Sequence, residues 1–180
     1  MLRLFIALPI PDHISTFMVE LQNNVEGAKW SPRENFHVTL RFLGDLETIA
    51  TREVDGALGD IRAAPFDLAL SDIGHFGHDT PHALWVGLVN NPDLLKVQKS
   101  CERACRLAGL EPDPRVYTPH ATLGYLPRHQ TLPPIMQFHE RHGLFKSPSW
   151  TADRFYLYSS KTNGPGPSRF TIEAEYPLMG

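Results

Sequence analysis

At 180 residues, with an apolar share of 42% and a charged share of 21%, the chain suits one globular domain spanning 1–180 or two small lobes packed together, with no disordered tail. A net charge of −3 argues against a protein that coats nucleic acid by bulk electrostatics, because such binders carry a basic excess, although a local basic groove is compatible with it. No stretch approaches the ~20 apolar residues of a membrane span, the N-terminus has no cationic leader, and two cysteines make no disulfide framework, so a cytoplasmic protein without membrane attachment is expected.

In chain order, Leu2 to Leu8 forms an apolar run closed by Pro9 and Pro11, the pattern of a buried central strand. Asp12 is placed to cap a helix through about Val25, with Ile14, Phe17, Met18, Leu21 and Val25 at three- and four-residue steps. Phe36 to Leu43 reads as a strand, and Glu47 to Ala63 as a helix despite Gly56 and Gly59. Phe66 to Asp72 and Ala83 to Val89 suggest a strand hairpin, joined by a loop over 74–82. Asn91-Pro92-Asp93 starts a helix that Gly109 stops. A second short strand follows at 118–124, then a proline-led helix over 134–142 and two late strands, 152–159 and 169–176, separated by a Gly- and Pro-rich connector over 161–168.

Two of these strands echo each other. Phe36-His37-Val38-Thr39-Leu40-Arg41 and Pro119-His120-Ala121-Thr122-Leu123-Gly124 both contain His-x-Thr-Leu. In a strand, side chains two apart leave by the same face, so His37 with Thr39, and His120 with Thr122, present an imidazole and a hydroxyl together. For either motif alone, a core strand with a hydrogen-bonded His is the default reading. As a pair they predict two imidazoles and two hydroxyls converging on one spot, within an α+β fold of two pseudo-symmetric lobes, each an antiparallel sheet with helices outside, around a central cleft.

Histidine has an ordinary pKa near 6.5, so one ring can be neutral and the other charged, as a general acid and base pair requires. Opening a cyclic phosphodiester needs both at once: one His takes a proton from attacking water while the other protonates the departing ribose oxygen. Thr39 and Thr122 can donate to the non-bridging oxygens, where transition-state charge gathers. No Gly-x-x-x-x-Gly-Lys-Ser/Thr loop, Gly-x-Ser-x-Gly elbow or His-Glu-x-x-His helix occurs. His75, His78 and His82 have spacing that can ligate zinc, but a solvated loop accounts for them better, so neither metal nor cofactor is expected. His13, His129, His139 and His142 have no partner pattern and read as surface residues.

The chain resembles the two-histidine (2H) phosphoesterases, and among them the RNA 2',3'-cyclic phosphodiesterases also called 2'-5' RNA ligases. The residues that carry the resemblance are Arg3-Leu4-Phe5-Ile6-Ala7-Leu8-Pro9, both His-x-Thr-Leu strands with their flanks, Leu84-Trp85-Val86-Gly87 and Leu157-Tyr158-Ser159-Ser160. It implies a terminal RNA 2',3'-cyclic phosphate, or a small cyclic nucleotide, as substrate and a 2'-phosphate as product. It further implies His37 as proton donor, His120 as proton acceptor, and Thr39 and Thr122 as phosphate-holding hydroxyls, in a monomer. Many relatives carry Arg two places after the second motif's Leu, where this chain has Tyr125. That cation is lost or supplied by Arg41, Arg128, Lys161 or Arg169. Arg41, Tyr125, Arg128 and Phe5 are therefore further candidate substrate contacts, with Phe5 and Trp85 able to stack a base or to fill the core. Two alternatives stay open: 2'-5' ligation by the reverse reaction, and an RNA-end binding module without turnover.

Overall fold

The computed structural model describes residues 2–162 and 164–180; Met1, and Asn163 in the connector over 161–168, lie outside them. The strands are β1 (Leu2–Pro9), β2 (Lys29–Trp30), β3 (His37–Leu46), β4 (Phe66–Phe76), β5 (Ala83–Leu88), β6 (His120–Tyr125), β7 (Lys146–Ala152), β8 (Arg154–Lys161) and β9 (Arg169–Pro177). The helices are α1 (Asp12–Leu21), α2 (Thr48–Gly59), α3 (Pro92–Leu107) and α4 (Leu132–His142).

These strands form two antiparallel sheets, of order β3-β1-β8-β9 and β2-β6-β5-β4-β7. α2 and α3 pack on the first sheet, α1 and α4 on the second. The expected α+β, two-lobed architecture is the observed one, and β3-β1-β8-β9 has its counterpart in β6-β5-β4-β7. The lobes are not successive halves of the chain, however. After β1 the chain crosses to the second sheet's layer for α1, and after β5 it crosses back for α3, while β8 and β9 return from the C-terminal end to flank β1. β1 is buried on both faces, with Leu4, Ile6 and Leu8 on one side and Phe5 and Ala7 on the other, which explains its unbroken apolar run.

Local chemistry accounts for most element ends. Asn91 caps α3, its side-chain oxygen accepting from the amides of Asp93 at 2.9 Å and Leu94 at 3.0 Å. Asp12 makes no cap: Pro11 holds the N-cap position of α1 and Asp12 stands in the first turn, where its charge suits the helix dipole. α1 stops at Leu21 rather than Val25, and α2 covers Thr48–Gly59, short of the periodic pattern. β4 runs on through His75 and Phe76, taking part of the expected loop into the sheet.

β7 is absent from the sequence-based expectations, because Ser147-Pro148-Ser149 has the composition of a turn. It forms an edge strand against β4, the place where a proline's missing N–H is tolerated. Its pairing is irregular there, and the Ser147 hydroxyl accepts from the Leu70 amide at 2.9 Å.

Gly74 pairs with Trp85 across β4 and β5, and a β-carbon at Gly74 would collide with the indole. Overpacking of this kind costs about 1–3 kcal/mol. Gly74→Ala is expected to lower stability by that amount in chemical denaturation, and to reduce activity as well because Trp85 supports the site described next.

Candidate active site

The two His-x-Thr-Leu segments begin β3 and β6. Each carries a β-bulge at its Leu. In β3, Arg41 pairs with Ile6 and Thr39 with Ala7, so Leu40 is the extra residue; in β6, Gly124 pairs with Leu84 and Thr122 with Trp85, so Leu123 is the extra residue. A bulge interrupts strict alternation. His37 and Thr39, like His120 and Thr122, are half-buried, the intervening Val38 and Ala121 are fully buried, and the next two residues after each Thr are also buried. Exposure resumes at Phe42 and Tyr125, which are 48% and 58% exposed.

The bulged carbonyls are satisfied in matching fashion. Gln98 of α3 donates to Leu40 O at 3.4 Å, and Gln22 at the end of α1 donates to Leu123 O at 2.9 Å, where the Ser31 amide also donates at 2.8 Å. The strands are tied across the cleft by the Tyr117 hydroxyl, which donates to Thr39 O at 3.0 Å.

Both imidazoles are held in one tautomer. The His37 Nδ1–H donates to Asn35 O at 2.7 Å and the His120 Nδ1–H to Thr118 O at 2.6 Å, since a carbonyl only accepts. Nε2 of each ring, and the hydroxyls of Thr39 and Thr122, have no hydrogen-bond partner among the described residues. Aromatic rings hold each imidazole: Phe5 at 4.9 Å and Phe170 at 5.3 Å against His37, Phe76 at 4.8 Å and Trp85 at 5.9 Å against His120. Burial among these rings lowers the His37 pKa to about 4, against the Asn35 carbonyl, which favours the charged form; the charge of His120 lowers it further. Burial also lowers the His120 pKa, with Thr118 opposing. Both rings are neutral in the free protein at pH 7.

A cleft of about 840 Å³ opens here, lined by Thr39, Phe42, Phe76, His82, Arg115, Tyr117, His120, Thr122 and Tyr125 among others; His37 lies behind this lining, next to Thr39 on β3. Of the further candidates, Phe5 takes the core-packing alternative, and neither Arg41 nor Arg128 presents a free cation to the cleft. Phe5 is 3% exposed and stacked on Tyr158 at 5.1 Å, so it buttresses His37 instead of offering a face to a base. Arg41 reaches the cleft wall, yet the bulge turns it into the protein, where Glu102 at 2.5 Å and Asp113 at 3.5 Å neutralise it and the Glu111 and Phe42 carbonyls accept from it. Arg128 is exposed and outside the cleft lining. Beside the buried Arg41, the cleft is lined by an exposed cation, Arg115, with Asp113 at 2.9 Å and its guanidinium 5.6 Å from the Phe42 ring centre. Sequence reasoning missed it, because nothing about an isolated Arg in a loop distinguishes it.

The histidines of the 75–82 segment do not cluster for metal. His75 pairs with His139 at 3.1 Å and with His78 O at 3.1 Å, while the exposed His78 contacts Asp79. No group of three metal-type side chains occurs among the described residues. His139 and His142 are half-buried rather than surface residues, His142 lying 4.7 Å from the Phe138 ring.

Residues 10–164 match the model of the 2'-5' RNA ligase superfamily. The chain belongs to that superfamily. Relatives described as RNA 2',3'-cyclic phosphodiesterase include one from Geobacillus stearothermophilus, 28% identical over 98% of this chain, and one from Aeropyrum pernix, 29% identical over 77% of this chain and 80% of its own length. The chain spans 57% of the length of the Geobacillus protein. Among solved structures, Escherichia coli LigT complexed with 3'-AMP covers 99% of both chains with a TM-score of 0.81 at 23% identity, a likeness of fold. The MHV ns2 PDE domain shares the fold with a TM-score of 0.60 at 15% identity, covering 87% of this chain and 99% of its own. In this 2'-5' RNA ligase superfamily member no helix among the described residues is long and apolar enough to cross a membrane.

His37 is neutral when folded and takes up a proton on unfolding between pH 4 and 6.5, and the lowered His120 pKa acts in the same direction. Stability contributed by their burial is thus complete above the unfolded pKa and is lost as pH falls through the folded one. For His37 the shift from 6.5 to about 4 corresponds to roughly 3 kcal/mol. Thermal melts are expected to drop between pH 6.5 and 4, and His37→Asn is expected to flatten that drop.

Proposed function

We propose that the protein hydrolyses 2',3'-cyclic phosphate ends of RNA or of small cyclic nucleotides to 2'-phosphates, by acid and base catalysis between His37 and His120. The observation that carries this is the duplicated unit: an imidazole whose Nδ1 is fixed by a carbonyl, with Nε2 free, beside an unengaged threonine hydroxyl, built twice, with Thr39, His120 and Thr122 lining one cleft and His37 close enough to His120 for its charge to be felt.

In this reading His120 Nε2 accepts a proton from water as its oxygen bonds to phosphorus. The P–O3' bond breaks, and His37 Nε2–H donates to the departing O3'. Thr39 and Thr122 donate to the two non-bridging oxygens, matching the charge that develops there. The fixed tautomer serves both steps, since Nδ1 is occupied and only Nε2 exchanges protons with the substrate. His37 is the harder ring to charge, its pKa lying near 4 in the free protein. The phosphodiester anion supplies the opposite charge that raises it, so the acid is armed on binding. No step in this sequence calls on a metal, and the chain acts as a monomer.

The reverse reaction, attack of a 5'-hydroxyl to form a 2'-5' linkage, uses the same groups. Water at ~55 M favours hydrolysis unless the second RNA end is held in place.

His37→Ala and His120→Ala are each expected to lower kcat by about 100- to 10,000-fold. The assay is incubation of a 2',3'-cyclic nucleotide in excess chelator, with the phosphate position in the product read by chromatography. Full activity of either variant, or a 3'-phosphate product, would refute the scheme. The falling limb of kcat/KM, which reports the free protein, is expected below pH 6.5, because both pKa values are lowered there. The falling limb of kcat is expected at higher pH, since bound phosphate stabilises the imidazolium.

A further inference from the structure

We propose that Tyr117 is a positioning residue for the reaction: its hydroxyl fixes the separation of the two His-x-Thr units, and through it the rate of turnover, without contacting the substrate. This rests on the function proposed above and names the residue that holds the same site at its working geometry.

The two units are not supported alike. β6 has a strand on either side, β5 and β2, whereas β3 is the outer strand of its sheet and has only β1 beside it. A bulge on such an edge is where the ladder restrains the backbone least. Side chains take the place of the missing neighbour there. Gln98 of α3 donates to the Leu40 carbonyl at 3.4 Å, and Tyr117, from the segment that leads into β6, donates to the Thr39 carbonyl at 3.0 Å.

Tyr117 is joined to both units. Its hydroxyl meets the backbone of Thr39, whose side chain lines the cleft, and one residue further along its own chain the Thr118 carbonyl accepts from His120 Nδ1–H at 2.6 Å. One planar peptide separates these anchors, so a displaced Tyr117 shifts the carbonyl that aims His120 relative to Thr39. Upstream, Arg41 holds the Glu111 carbonyl and the Asp113 carboxylate against β3, but Pro114, Arg115 and Val116 are exposed. Half-buried Tyr117 is where the chain is fastened again before β6 begins.

The hydroxyl is neither acid nor base for the substrate. Its proton is committed to Thr39 O, and burial pushes its pKa up, so it stays protonated through the working range. What it supplies is distance. A misplacement of about 1 Å can cost ~100-fold in rate. The transition state at phosphorus must meet groups from both strands at once, so it depends on this latch more than ground-state binding does.

The test measures kcat and KM for a 2',3'-cyclic nucleotide in wild type, Tyr117→Phe, Thr39→Ala and the double variant. Tyr117→Phe keeps the ring that fills this wall and removes only the latch, and circular dichroism establishes that each variant folds. It is expected to lower kcat by about tenfold while KM stays within about twofold. In the Thr39→Ala background the same change is expected to cost only about threefold, because the hydroxyl that the latch positions is already gone. Equal losses in both backgrounds, an unchanged kcat, or a loss confined to KM overturns the positioning role and leaves the proposed reaction standing. Failure of wild type to open the cyclic nucleotide overturns both.

Discussion

Each His-x-Thr-Leu strand depends on one local distortion, the bulge that inserts Leu40 or Leu123 just after the threonine. A regular strand would carry every second side chain onward along the cleft, sending Arg41 toward the threonines' face. The extra residue turns Arg41 and Gly124 inward and returns the open face at Phe42 and Tyr125. Each bulge leaves a carbonyl that the regular ladder does not serve, and a glutamine at the helix layer, Gln98 or Gln22, meets it. The helices thus stabilise the irregularity on which the cleft chemistry rests.

Around that backbone, the protein treats its polar groups in two opposite ways. The imidazoles are surrounded by Phe5, Phe170, Phe76 and Trp85, and burial among them makes both rings harder to charge. Arg41 is almost fully buried but answered by Glu102, Asp113 and two carbonyls. Removing either carboxylate partner would leave a buried charge uncompensated, which is far more costly than the pair itself is stabilising. That network also fixes the segment carrying Asp113, Arg115 and Tyr117 against β3, so the cleft wall and the strand move as one body.

The correspondence between β3-β1-β8-β9 and β6-β5-β4-β7 is built by exchange between lobes rather than by two consecutive halves. α1 and α3 each cross from the sheet that precedes them to the other sheet's outer layer. A chain laced this way cannot separate its two histidines by a hinge without unpacking a helix, consistent with a hydrophobic cluster that runs through both sheets.

The sequence by itself determined most of the elements and the paired His-x-Thr units. Alternation and apolar periodicity located most strands and helices, Asn91 announced α3, and the repeated His-x-Thr pair was readable because two residues apart on a strand always share a face. Those are short-range properties, decided by covalent spacing. What only the tertiary structure decided depends on neighbours far away along the chain. β7 hides behind Ser147-Pro148-Ser149 because an edge position excuses the proline. Phe5 could stack a base or fill the core and Arg41 could face a phosphate, and packing against Tyr158 and pairing with Glu102 decided each. Arg115 and the bulges, which aim Phe42 and Tyr125 into the cleft, are set by strand registers and ion pairs between segments that no local pattern connects.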